Sequence, residues 1–148
     1  MSRFKSAVLV SLPTVALAAI NFVSASAAQS GNNFVWSWHE AGLGDNQNVT
    51  YDLRVVATIT SACVNKGGNT VEGVPFTAPP VTVTETPTFN SGKHGNISKT
   101  VTFVPHPSPS LNCKGNSTAK VTSASYSNAL LEDETNEIIG AGSEAAEE

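Results

Sequence analysis

The stretch "NVTYDLRVVATITSACV", residues 48 to 64, decides the fold of this 148-residue protein. Polar side chains such as Thr50, Asp52 and Arg54 alternate in it with apolar ones. A period of two residues is typical of a β-strand with one buried face. Because a strand of more than about ten residues is unusual, we expect either one long strand or two strands joined by a bulge. The predicted buried positions are Val49, Tyr51, Leu53, Val55, Ala57, Ile59 and Cys63.

Four further segments have the same strand-like character and are separated by turn-rich stretches. They are "FVWSWHE" (34–40), "PVTVTET" (80–86), "NISKTVTFV" (96–104) and "KVTSASYSNALLED" (120–133). Threonine and valine are frequent, and no segment shows an apolar stripe of helical period. The sequence therefore predicts an all-β protein, an antiparallel β-sandwich of immunoglobulin-like architecture with about six to eight strands, closed by one disulfide.

The disulfide prediction rests on the two cysteines, Cys63 and Cys113. Two cysteines in a secreted chain of this size normally pair. A catalytic thiol needs a nearby base, and a zinc site needs four ligands with characteristic spacing. The three histidines, His39, His94 and His106, provide neither. We predict a bond between Cys63 and Cys113, with a metal site and a reactive thiol as the alternatives.

The first residues predict secretion. Arg3 and Lys5 precede a short apolar run, and small residues follow at Ala25 and Ala27. This pattern is typical of a signal peptide spanning residues 1–27 and cleaved after Ala27. We expect an extracellular protein with a β-sandwich domain over residues 28–139 and an acidic, disordered tail over 140–148. Without another apolar stretch of spanning length, we expect no membrane association after cleavage.

The charge distribution argues against nucleic-acid binding. The formal net charge is −4, and the acids Glu132, Asp133, Glu134, Glu137, Glu144, Glu147 and Glu148 all follow Leu131. No basic stripe exists that would neutralise phosphate groups. We predict no nucleic-acid partner, no cofactor and no metal.

Four stretches in the same order carry a resemblance to known proteins. They are "EAGLGDNQNVTYDL" (40–53), "CVNKGGN" (63–69), "FNSGKHGNI" (89–97) and "SYSNALLEDETN" (125–136). The chain resembles a group of uncharacterised small secreted proteins, mostly actinobacterial, with two cysteines and a β-rich body. The resemblance implies no catalytic residues. It also implies a further apolar strand after "TN", where this chain has "EIIGAGSEAAEE". We therefore expect the last strand to be shortened to 137–139 or lost.

Two sets of residues are candidates for ligand binding. The first is the aromatic strip of Phe34, Trp36 and Trp38, which share one face of a strand. Such a strip forms either part of the core or a platform on which sugar rings stack. We expect at least Trp38 to be buried. The platform remains the alternative, so Trp36 and Trp38 are candidate binding residues.

The second set lies in two glycine-containing loops, "GLGDNQN" (42–48) and "NSGKHGN" (90–96). The first loop carries too few carboxylates, at the wrong spacing, for a calcium site. Its Asn and Asp residues suit a turn. We predict a binding surface made by the two loops. Its residues are Asp45, Asn46, Asn48, Lys93 and His94.

No motif for catalysis is present. The chain has no G-x-S-x-G nucleophile elbow and no glycosidase-like carboxylate motif. The sequence favours a secreted, non-catalytic binding or interaction protein, with an extracellular glycan or cell-surface component as partner. One alternative is a small hydrolase with a site built from Glu40, Asp52, Glu85 and a histidine. Another is a structural surface or matrix protein.

Overall fold

The computed structural model describes residues 19–67 and 75–142, and within these ranges it contains nine strands and no helix. Every strand pair is antiparallel. The predicted all-β, antiparallel fold is confirmed. The strands are β1 (Asn21–Ser30), β2 (Asn33–Ala41), β3 (Asn48–Val64), β4 (Phe76–Thr77), β5 (Val81–Glu85), β6 (Thr88–Asn90), β7 (Ile97–Phe103), β8 (Thr118–Asp133) and β9 (Ile138–Gly142).

The strands form two sheets. The three-stranded sheet has the order β1-β2-β7, and the six-stranded sheet is built around β3 and β8, with β9 beyond β8. β3 is one strand of 17 residues. It pairs with β8 along one edge and with β6, β5 and β4 in turn along the other. The extra residues of the β3–β8 ladder lie in β8, where Asn128 has a φ of 54°. Because β8 accommodates these bulges, β3 continues unbroken.

The core lies between the two sheets. The even-numbered residues Phe34, Trp36 and Trp38 of β2 face the odd-numbered residues of β3, as strand alternation requires. Leu131 of β8 packs into the same cluster. The buried positions of β3 predicted from the alternation are confirmed, except that Ile59 is only partly buried.

The predicted disulfide between Cys63 and Cys113 is confirmed, with Cα atoms 5.5 Å apart. It ties the end of β3 to the segment that connects β7 with β8. Both cysteines are consumed by this bond, so neither is a metal ligand or a free nucleophile.

The first strand begins within the predicted signal peptide. Residues 1–18 of the predicted signal peptide lie outside the described residues. Residues 21–27, however, form most of β1, which pairs with β2 along its whole length. Phe22, Ala25 and Ala27 pack against the core cluster. Cleavage after Ala27 would therefore remove a strand whose inner face is apolar and packed.

The last strand extends into the predicted tail. β9 runs Ile138–Gly142, so residues 140–142 of the predicted tail belong to a strand, and the rest of that tail lies outside the described residues. The last strand is present, and it is longer than the expected 137–139. The centre of β9 has little room for a side chain, because a Cβ on Gly140 would lie 3.0 Å from side-chain atoms of both Phe22 and Leu131. This explains the glycine at that position.

Candidate functional site

The two predicted binding loops lie side by side and are hydrogen-bonded to each other. Leu43 N donates to Gly95 O at 3.0 Å, and Asn46 N donates to Gly92 O at 2.8 Å. Gly95 has a φ of +72°, and a Cβ there would lie 2.9 Å from Gly44 N. Only glycine permits this approach of the two backbones. The contacts hold the two loops as one unit.

Ser91 fastens the loops at their centre. Its hydroxyl donates to Gly44 O at 2.6 Å and accepts from Gln47 N at 2.8 Å. Its own backbone N donates to Gln47 O at 2.8 Å. The residue is 3 % exposed. A buried hydroxyl with both its donor and its acceptor used fixes the loop backbone more firmly than an exposed one would.

Five exposed polar side chains surround these contacts, and we call them the loop face: Asp45, Asn46, Asn48, Lys93 and His94. The structure thus brings together all the loop residues predicted from the sequence. Asn90 Nδ2 donates to Asn48 Oδ1 at 3.0 Å, which adds one contact between the loops at the edge of this face. The loop face contains one carboxylate, one ammonium group, one imidazole and two amides.

The other two predicted binding residues are not on the surface. Trp36 and Trp38 are 0 % and 2 % exposed. Trp36 Nε1 donates to Leu130 O at 3.1 Å, and the ring of Trp38 lies 4.6 Å from that of Tyr51. The expected burial of Trp38 is confirmed, and the sugar-stacking platform is wrong. The reason is that the side of β2 carrying both rings faces the other sheet.

A cluster of buried polar side chains lies in the core near the end of β2. Glu40 is 0 % exposed and is the fourth residue on the inner face of β2. Tyr51 donates its hydroxyl proton to Glu40 Oε1 at 2.7 Å. Asp133, also 0 % exposed, is the residue opposite Tyr51 in the β3–β8 ladder. Asn136 donates to both of its carboxylate oxygens, from N and from Nδ2, each at 2.8 Å.

Burial raises the pKa of Glu40 to about 8, and the hydrogen bond to Asp133 and repulsion from its charge add to the effect. Glu40 therefore carries a proton at neutral pH. Its Oε2 has no donor directed at it among the described residues. That oxygen is the one that can hold the proton, since Oε1 accepts the hydrogen bond from Tyr51. Burial and the bond to Glu40 also raise the pKa of Tyr51.

Glu40 belongs to the alternative hydrolase site considered from the sequence, and its place in a buried polar cluster is not predicted there. One signal was available, because Glu40 continues the alternation of Phe34, Trp36 and Trp38 and therefore points inward. Its partner Asp133 is distant in the sequence and gave no comparable signal.

The residues of the predicted hydrolase site do not converge. Glu40 is buried, and Asp52 is bound by Arg54, whose Nε and Nη2 lie 3.0 and 2.7 Å from its two oxygens. Glu85 is exposed opposite Leu53 in the β3–β5 ladder, so it lies on the other face of the sheet from Asp52. Within the described ranges, no group of three or more His, Cys, Asp and Glu residues is arranged to hold a metal ion.

Two cavities lie away from the loop face. One, of about 430 Å³, is at the disulfide end of β3 and β8 and is lined by Lys66, Lys120 and neighbouring polar residues. The other, of about 320 Å³, is largely apolar and lies between β3, β5 and the segment of His106. The sequence analysis predicted neither, because each cavity combines residues from distant segments.

The described part of the chain contains no helix with the length and apolar character needed to cross a membrane. Comparisons of the chain with protein-family models, with curated proteins and with solved structures found no match.

Proposed function

We propose that the protein is a secreted, non-catalytic binding module that acts at the cell exterior through the loop face. Its two sheets would form an immunoglobulin-like sandwich that presents the loops at one end. Extracellular glycans are the proposed first class of ligand. The observation that carries this proposal is the set of direct hydrogen bonds joining the two loops.

Loops that are fixed before binding lose little conformational freedom when a ligand arrives, and affinity increases accordingly. Here the backbone of both loops is held by Ser91 and by the close contact of Gly95 with Gly44. The side chains of the loop face nevertheless remain exposed. This combination of a fixed backbone and free polar groups suits recognition.

The chemistry of the loop face matches a hydroxyl-rich ligand. Asp45 accepts hydrogen bonds, Lys93 donates them, and the amides of Asn46 and Asn48 do both. Sugar hydroxyls likewise donate and accept. The exposed position of all five side chains suits contact with a polymer or a surface better than enclosure of a small substrate.

Secretion is supported by the signal-like N-terminus and is compatible with the disulfide, since disulfides persist mainly in oxidising compartments. Three carboxyl groups were considered for the alternative hydrolase site. Of these, Glu40 is completely shielded from solvent. It therefore suits a structural role.

The experiment is a binding assay on insoluble polysaccharides and a glycan array. The triple variant Asp45→Ala, Lys93→Ala, His94→Ala should lose retention while keeping its thermal midpoint, because all three side chains are exposed. The matched control is Glu85→Ala with Lys99→Ala, two exposed residues outside the loops whose replacement also removes one charge of each sign.

The control should bind as the unaltered protein does. Equal retention of the triple variant and the unaltered protein on every glycan that either binds would contradict the proposed role of the loop face.

A further inference from the structure

The strongest feature outside the loop face is the cavity of about 430 Å³ at the opposite end of the molecule. It lies where β3 ends and β8 begins, since Val64 pairs with Thr118 there. Eight residues line it, of which two are valines. The six polar ones are Asn65, Lys66, Asn116, Thr118, Lys120 and Thr122.

This end of β3 and β8 extends beyond the three-stranded sheet. The turn between β1 and β2 meets β8 near Ala124 and Tyr126, where Gln29 Nε2 donates to Ala124 O at 2.9 Å and Tyr126 donates to Asn32 O at 2.6 Å. Residues 118–123 of β8 continue past this point. Lys120 pairs with Ala62 in the β3–β8 strand pair, so its side chain and that of Cys63 lie on opposite faces of this pair. The cavity is therefore reached from solvent.

Basic side chains lie at one end of the β3–β8 strand pair and acidic side chains at the other. Lys66, Lys114 and Lys120 are at the cavity end, while Glu132, Asp133, Glu134 and Glu137 are at the other end of β8 or just beyond it. Thirteen residues separate Lys120 from Asp133, which corresponds to roughly 40 Å along a strand. Because the Debye length at physiological salt is about 8 Å, the acidic end does not offset the positive potential at the cavity.

Among the described residues, the lining of the cavity contains both lysines and no acidic side chain. Neither ammonium group makes an ion pair with another residue of the described ranges. Two unpaired positive charges beside amide and hydroxyl groups are the donors that a carboxylate or sulfate on a polyhydroxylated ligand requires.

We propose that this cavity binds acidic polysaccharide through the charged groups on its sugars. Lys66 and Lys120 contact the carboxylate or sulfate, and Asn116, Thr118 and Thr122 contact hydroxyls. Nucleic acid fits less well, because none of the described residues that line the cavity is aromatic and so none of them offers a surface for base stacking. The site is separate from the loop face, so a protein with both sites has the geometry to connect two surface polymers.

The test uses the secreted chain made in a bacterial host, which adds no glycan to the sequon Asn116-Ser117-Thr118. Binding is measured by titration with polygalacturonate, with dextran sulfate and with neutral dextran at physiological salt. The first two polymers distinguish carboxylate from sulfate recognition, and the neutral polymer tests whether charge is needed.

The variant Lys66→Gln, Lys120→Gln should weaken binding of an acidic polymer at least tenfold and reduce its salt dependence, because two ion contacts are lost. The control Lys99→Gln removes one charge from an exposed strand residue outside both the cavity and the loop face and should change affinity less than twofold, whereas Lys66→Gln alone should weaken binding more than this control does. The variant Lys66→Arg, Lys120→Arg should retain binding. Thermal unfolding of each variant verifies that the fold is intact.

Failure of the unaltered protein to bind either acidic polymer would overturn the proposal. Equal weakening by the cavity variant and the control would also overturn it, because the attraction would then depend on net charge alone. Loss of binding only in the loop-face triple variant would support the proposed function and contradict a site at the cavity.

Discussion

Tyr51 donates its hydroxyl proton to Oε1 of Glu40 at 2.7 Å inside the core, where both side chains are 0 % exposed. The bond joins β2 to β3 across the two sheets. Burial and the nearby carboxyl of Asp133 raise the pKa of Glu40 to about 8, so Glu40 is mainly protonated at neutral pH. The stability of the fold therefore depends on the protonation of a group that solvent does not reach.

The first prediction is that stability falls as the pH rises from about 4.5 to about 8. Glu40 has its ordinary pKa of 4.5 when unfolded and a pKa of about 8 when folded. Between these values the folded state holds a proton that the unfolded state releases, so each increase in pH favours unfolding. The slope reaches at most about 1.4 kcal/mol per pH unit.

Urea denaturation at several pH values measures this slope. Glu40→Gln should flatten it, because an amide does not titrate and can accept the hydrogen bond from Tyr51 at every pH. Glu85→Gln, at an exposed site, should leave it unchanged. The comparison with the unaltered protein removes the contribution of every group that the variants leave unchanged. Parallel curves for Glu40→Gln and the unaltered protein would contradict the proton on Glu40.

The second prediction concerns the contact between the loops. Gly95→Ala places a Cβ 2.9 Å from Gly44 N, whereas Gly92→Ala meets nothing within 4 Å. Both glycines have positive φ, at 72° and 68°, so the backbone strain of about 1–2 kcal/mol is common to the two variants. Gly95→Ala should therefore lose more stability and should separate the loops.

Hydrogen exchange at Leu43 N and Asn46 N reports the separation, since both donate across the loops. We expect faster exchange in Gly95→Ala than in Gly92→Ala. Identical protection in the two variants would show that the loops do not depend on this contact.

The third prediction concerns the disulfide. Cys63 and Cys113 are separated by 50 residues, and closing a loop of that length stabilises a fold by about 2–4 kcal/mol after allowance for strain. Cys63→Ser with Cys113→Ser should lower the free energy of unfolding by this amount. The midpoint in denaturant measures the loss, and an unchanged midpoint would contradict it. Intact mass and thiol labelling of the secreted protein should show no free cysteine.

The fourth prediction tests the burial of the tryptophans. Trp36→Ala should cost about 3–5 kcal/mol, because it leaves a cavity in the core and removes the hydrogen bond to Leu130. Trp36→Phe should cost less, since most of the apolar volume remains. Emission of the unaltered protein should be blue-shifted and poorly quenched by acrylamide. Emission resembling that of free indole would be inconsistent with a buried pair.

The fifth prediction concerns the mature N-terminus. Ala16 and Ala18 provide small residues for an earlier cleavage, after Ala18. That site retains β1, which covers the edge of β2 and places Phe22 against Gly140 of β9. N-terminal sequencing of the secreted protein should therefore begin at residue 19.

Two truncated proteins test whether the fold needs β1, which is the reason for expecting the earlier cleavage site. A protein beginning at Ala28 should unfold at a lower temperature than one beginning at Ala19 and should aggregate more readily, because the edge of β2 is uncovered. Secreted protein that begins at Ala28 and is equally stable would contradict this prediction.

The sequence by itself determined the strand character and the inner face of β2 and β3. Alternation with a period of two is a local property, so the sequence alone places Trp38 and Leu53 on the apolar faces of their strands and favours their burial. The bond between Cys63 and Cys113 was equally predictable, since only one intramolecular pairing was possible.

Only the tertiary structure decided which distant residues meet. The register of β3 with β8 places Asp133 beside Tyr51 and collects Lys66 and Lys120 around one cavity, while β1 joins the fold at residues assigned to the signal peptide. Register and strand order depend on packing across the whole core, which a local pattern of side chains does not contain. The alternation shows which face of a strand is buried, and the fold determines what that face is buried against.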